Sequence, residues 1–157
     1  MKEQPKYKVV SQSGMFKKRY KLTKKFRIRT GICPSETISL LKNNMNIIIY
    51  TGGQIDLFSG FSWDGPSGPT FDTVDSIRAS LVHDALCHLS DEGYLPPYYN
   101  HIIDVLLKIH CIEDGMNKWR AYTWYFCVRL WRAARRFKRR KQKIRVIRIV
   151  EENQNEL

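Results

Sequence analysis

Several things are scarce in these 157 residues, and each shortage excludes a class of protein. Only four cysteines occur, Cys33, Cys87, Cys111 and Cys127, widely scattered and with no CxxC pair, which argues against a zinc ribbon. The N-terminal MKEQPKYK lacks the apolar stretch of a secretory signal, so a disulfide framework is not expected and the thiols read as mostly buried. Long apolar runs are missing too: charge interrupts every one before it could span a bilayer. No internal repeat or low-complexity linker divides the chain, so residues 1–157 read as a single domain with a cytoplasmic location. Between residues 115 and 150 there is no acidic residue at all.

What is present suffices for a core, with 43% hydrophobic and 12% aromatic residues. Charge is strongly segregated within a net +12. Residues 1–30 hold 11 Lys and Arg against one acidic residue, residues 31–114 hold 3 against 11, and residues 115–150 hold 13 against none. Either the basic arms fold back over the acidic middle, or the molecule is dipolar with separate surfaces for separate partners.

The patterning predicts an α+β fold: a small antiparallel N-terminal sheet, then an Asp-bearing loop and about three helices. Residues 1–58 form the β-rich part. Tyr7 and Val9, Tyr20 and Leu22, and Phe26 and Ile28 alternate with polar residues, and Ile38–Leu41 and Asn46–Tyr50 flank an Asn43-Asn44 turn. Residues 59–114 hold the loop and two core helices. Asp75 is the expected N-cap of the first, whose apolar stripe is Ile77, Leu81, Ala85 and Leu89. The second, Tyr98 to Glu113, is expected to bury Ile102, Leu106 and Ile109 with Ile103, Leu107 and His110. Residues 115–157 form an aromatic and basic helix from about Asn117 to Gln142, followed by a tail. One stripe of that helix is Trp119, Tyr122, Phe126, Leu130 and Ala133, a second is Trp124, Val128 and Trp131, and the closing IRVIRIV alternates like a short strand.

The densest stretch for chemistry is Gly60 to His88. Its loop, GFSWDGPSGP, combines glycines that permit positive φ with prolines that fix it, and so holds Asp64 in a shaped turn before the helix that carries His83-Asp84. Gly60, Phe61, Asp64, Ser67 and Pro69 followed by His83-Asp84, with Asp104 on the next helix, resemble a domain family of unknown function from tailed phages and prophages. The likeness covers roughly residues 45 to 110. It departs from the family pattern at Trp63, where Thr is common, and at Ala85 and Cys87, where aromatics are usual. It implies a phage-type accessory protein, in the host cytoplasm or associated with the virion.

Asp64, His83, Asp84 and Asp104 are the candidate catalytic residues of a hydrolase-like site. Asp64, His83 and Asp104 supply mixed oxygen and nitrogen donors suited to a divalent metal, whose bound water would attack an ester, amide or phosphodiester. Because neighbouring helical side chains diverge by roughly 100°, one member of the His83-Asp84 pair would coordinate while the other orients. The plainer alternative is structural, with Asp64 capping its own loop and the His-Asp pair tying loop to helix. Cys87, one turn after His83, could act as an activated thiol, although a mid-helix cysteine is more often a small core residue.

The basic arm offers a different function. Eleven Lys or Arg lie between Arg129 and Arg148, interleaved with Trp131 and Phe137. Arg129, Arg132, Arg135, Arg136, Lys138, Arg139, Arg140, Lys141 and Lys143 are the candidate anion-binding residues. The expected partner is nucleic acid, an anionic membrane surface or a virion protein, and this non-enzymatic reading is the alternative to the metal-dependent hydrolase.

Overall fold

The computed structural model describes residues 3–11, 18–42, 45–66 and 73–155, by backbone alone beyond Phe137. It is an α+β structure in which the strands come first and three helices follow. The strands are β1 (Tyr7–Ser11), β2 (Lys18–Leu22), β3 (Phe26–Arg29), β4 (Ile38–Lys42), β5 (Met45–Ile49), β6 (Gln54–Leu57) and β7 (Ser62–Trp63). They form two small antiparallel sheets instead of one, ordered β1-β2-β7 and β3-β6-β5-β4. The sheets part because β7 skips back to β2, with Tyr20 opposite Trp63, while β6 stays between β3 and β5. The Asn43-Asn44 turn expected between strands lies outside the described residues.

The loop after β6 is held by aromatic packing. The rings of Tyr20 and Trp63 stack with centroids 5.4 Å apart, and Tyr7 meets both edge-on. Gly65, at φ +72°, passes directly beneath Tyr20, where a Cβ would come within 2.3 Å of the ring. Trp63 also reaches forward, its Nε1 donating to Ser80 Oγ at 3.2 Å, so the loop is fastened to the first helix. Ser67 and Pro69 of the motif lie outside the described residues.

Helix α1 (Val74–Asp91) buries the expected stripe of Ile77, Leu81, Ala85 and Leu89 together with Val82 and Leu86. Its N-cap is Thr73, not Asp75. Thr73 is extended, and its N–H donates to Ser76 Oγ at 3.1 Å, whereas Asp75 lies within the first turn and faces Arg120 at 3.6 Å. Helix α2 (Tyr99–Glu113) packs through Ile103, Asp104, Leu107, His110 and Cys111, while Ile102 and Ile109 face outward. His110 is buried as expected, while Asp104 is turned inward and Ile102 and Ile109, expected inside, are not. Buried Arg78 fastens α1 to the end of α2, its Nε 2.8 Å from Asp114 Oδ2 and its Nη2 3.0 Å from Glu113 Oε2.

Helix α3 runs unbroken from Lys118 to Asn155, so the expected terminal strand is helix instead. It meets the body through Ala121, Trp124 and Tyr125, with Val128 half-buried behind them. The stripe of Trp119, Tyr122, Phe126 and Leu130 is exposed: Trp119 is 83% and Leu130 71% accessible.

The two basic arms do fold back on the acidic middle. From the N-terminal side Arg19 faces Asp64, and Lys25 and Arg27 face the wholly buried Asp56. From α3, Arg120 faces Asp75, Arg132 faces Asp104 and Arg135 faces Asp91. Among the described residues, six cations of the arms are thus paired with the acidic middle.

Candidate functional site

Where the three helices converge they leave a cavity of about 480 Å³. Helix α1 presents Ser80, His83, Asp84 and Cys87 to it, because these recur at three- and four-residue intervals and so share one side of the helix. Helix α3 supplies Trp124, Val128 and Arg132 by the same spacing, and Asn100 enters from the first turn of α2.

The polar centre is His83. Its Nε2 lies 3.1 Å from Asp104 Oδ1, its Nδ1 3.6 Å from Asp84 Oδ1, and Cys87 Sγ stands 3.7 and 3.8 Å from the two ring nitrogens. Arg132 closes the group from α3: one Nη2 donates to Asp104 Oδ1 at 2.7 Å and to Cys87 Sγ at 3.1 Å, while Nη1 donates to Asn100 Oδ1 at 2.7 Å. Ser90 donates its hydroxyl to the same Asn100 oxygen at 3.0 Å. One carboxylate oxygen of Asp104 thus serves two cations, whose nitrogens are 3.5 Å apart.

These contacts decide the charge state. Burial opposes a charged His83, but the Cys87 sulfur and the carboxylates of Asp104 and Asp84 outweigh it and hold the imidazole well above its ordinary value. Burial likewise works against an ionised Asp104, yet its bonds to His83 and Arg132 keep it below the usual carboxylate range. An imidazolium with a carboxylate toward each nitrogen offers no lone pair to a metal.

The sequence-derived candidates are therefore brought together only in part. His83, Asp84 and Asp104 meet as expected. Asp64 lines the same cavity but is half-exposed at its mouth and faces Arg19 at 3.4 Å. Among the described residues no group of three or more His, Cys, Asp and Glu side chains is placed to hold a metal ion. The expected metal set of Asp64, His83 and Asp104 does not fit the donor arrangement.

Sequence reasoning missed Arg132, Asn100 and Ser90. Arg132 stands in the basic run assigned to anion binding, yet it falls eight residues after Trp124 and four after Val128, on the packing face of α3. That spacing was the available signal. Of the other candidate anion-binding residues, Arg129 donates to Tyr125 Oη at 2.9 Å and lies 3.0 Å from His101 Nδ1, and Arg135 lies over the ring of Trp131. The side chains of Arg136, Lys138, Arg139, Arg140, Lys141 and Lys143 lie outside the described residues. No helix among the described residues is long and apolar enough to cross a membrane. No protein-family model, curated protein or solved structure matches the chain.

Proposed function

We propose that the protein is an accessory protein of the phage type that docks on an anionic lipid surface through α3. The observation that carries this reading is the exposed aromatic stripe. At roughly 100° per residue, Trp119, Tyr122, Phe126, Leu130, Ala133 and Phe137 fall within a sector of roughly 80°, along a length of roughly 27 Å. All six are exposed, on the side of the helix away from Ala121, Trp124 and Val128. Contiguous apolar surface of this kind marks an interaction site. Around it the sequence places cations and, from residue 115 to residue 150, no acid.

An interfacial helix combines Trp, Phe and Leu on one side with Lys and Arg on the other, and lies in the plane of the bilayer surface. Nucleic-acid backbone binding would account for the cations but leave the aliphatic and aromatic stripe without a role. Arg132 does not belong to the docking surface in this reading, since it is engaged with Asp104 and Cys87.

The test is sedimentation of the full chain with phosphatidylcholine vesicles, with and without phosphatidylglycerol, beside a duplex DNA gel shift. Binding to the phosphatidylglycerol vesicles alone, lost on Trp119→Ala together with Phe126→Ala, is expected. Equal retention of DNA by wild type and by that double variant, with no vesicle binding, would assign the arm to nucleic acid instead.

A further inference from the structure

Cys87 packs against the main core on one side and lines the three-helix cavity on the other, where its sulfur meets polar groups that the α3 stripe does not explain. The four cysteines of the chain are free thiols in four different settings. Cys111 is wholly buried, and burial pushes its thiol up to about 12; Cys33 is exposed ahead of β4, and Cys127 is half-buried on α3. Cys87 alone opens onto the three-helix cavity while its sulfur receives a guanidinium N–H, from Arg132 at 3.1 Å, and faces an imidazole one helical turn away. A thiol placed to fill volume is surrounded by carbon. This one is set among cationic donors in a partly exposed pocket, the environment in which cysteine sulfur is nucleophilic.

The cavity has the size and the mixed lining of a small-molecule site. Trp124, Val128 and Trp131 give it an apolar wall, and Ser80 and Asn100 add hydrogen-bonding groups to its lining. We infer that Cys87 is the nucleophile of an acyl-transfer site that takes the acyl group of a small ester or thioester held in this cavity.

The chemistry balances with the groups at hand. Cys87, its proton given to solvent, attacks the carbonyl carbon, so that a C–S bond forms and the carbonyl π pair moves to oxygen. Arg132 N–H donates to that oxygen. As the pair returns, the bond to the alkoxide or thiolate leaving group breaks, and the leaving atom takes the proton of His83. A water molecule then adds to the thioester, giving its proton back to His83; the carboxylic acid leaves and the sulfur is restored. Asp104 touches no reacting atom and is a positioning residue, holding both His83 and Arg132 by one oxygen.

This inference is independent of lipid docking and is tested with the full chain and p-nitrophenyl acetate. The expected result is release of p-nitrophenol with an acetyl adduct mapped by mass spectrometry to Cys87. Cys87→Ser abolishes both, and Cys33→Ser leaves them unchanged. His83→Gln and Arg132→Lys each slow acetylation by roughly a hundredfold at fixed pH, with circular dichroism confirming that the variants are folded. Should either variant unfold, competition within the wild type decides the matter: iodoacetamide must label Cys87 faster than the more exposed Cys33. Acetyl or carbamidomethyl groups arriving on Cys33 first, or never on Cys87, overturn the inference.

Discussion

Arg132 reaches from α3 to Asp104 on α2, with its Nη2 2.7 Å from a carboxylate oxygen that also faces His83 at 3.1 Å. The carboxylate is the element that allows two cations to lie 3.5 Å apart in the interior. Removing it should therefore cost more than removing either cation. Asp104→Asn is expected to destabilise the protein by about 3–5 kcal/mol, the scale for leaving buried charge unpaired. In that background His83→Gln should cost less than in the wild type, because it relieves the repulsion. Urea unfolding of the four proteins in the cycle measures the coupling.

The cycle for Asp64 and His83 should turn out differently. The sequence places them in one constellation, but Asp64 faces Arg19 at the mouth of the cavity. Their stability losses are expected to add within about 0.5 kcal/mol, as for sites without a shared partner. A coupling above about 1 kcal/mol would mean that the two share a bond.

Stability should also depend on pH in two separate limbs. His83 has a folded value raised above 6.5, so its contribution is complete below pH 6.5 and is lost as pH rises through the folded value. Asp104 is lowered from 3.8, so its contribution is present above that pH and is lost as pH falls through the folded value. Asp56, held below the usual carboxylate range by Arg27, acts in the same direction as Asp104. Melting temperatures across pH should show a plateau with a fall at each end, and His83→Gln should remove the alkaline fall while sparing the acid one.

Exposure on α3 reverses what composition suggests about its aromatics. Trp119→Ala, Phe126→Ala and Leu130→Ser are each expected to change stability by no more than about 0.5 kcal/mol, because these side chains face solvent. Trp124→Ala, in the second core cluster with Leu107 and Met116, should cost about 3–5 kcal/mol. Denaturant midpoints distinguish the two sets.

A paired substitution probes the loop. Gly65 and Gly93 both have positive φ, but only Gly65 has a stacked ring where a Cβ would stand. Gly93→Ala carries the backbone strain alone, about 1–3 kcal/mol, and Gly65→Ala adds the displacement of Tyr20 from Trp63. The loss at Gly65 should exceed that at Gly93, and near-ultraviolet dichroism should report the disturbed aromatic pair.

The elements themselves were legible in the sequence wherever one face was apolar and the other was not. The stripe of α1 and the alternation around Tyr20, Leu22, Phe26 and Ile28 led to the right structures. The faces of α3 were not legible, because both are apolar. Periodicity groups Trp119 with Phe126 and Trp124 with Val128, but it does not say which group meets the body. The terminal IRVIRIV misled for a related reason: alternation in a short run is weak against the continuation of a helix already formed. At the site, the meeting of His83 with Asp104 was expected from the helices that carry them. Arg132 was hidden because the cations beside it drew the whole run toward solvent.

The opposition of Arg27 and Asp56 on β3 and β6 has one more consequence. Ile55, Asp56 and Leu57 are all buried, so the strand has no wet side by which its alignment could be recognised. Hydropathy would tolerate a neighbouring strand displaced by one residue. The carboxylate would not: it accepts Arg27 Nη2 at 2.7 Å, Tyr50 Oη at 3.0 Å and Lys25 Nζ at 2.8 Å, three partners from three separate places, and any slip strands a charge in the interior. Asp56 thus works as a proofreading residue for the sheet, removing from the folding ensemble the misaligned hairpins that its oily neighbours alone would accept.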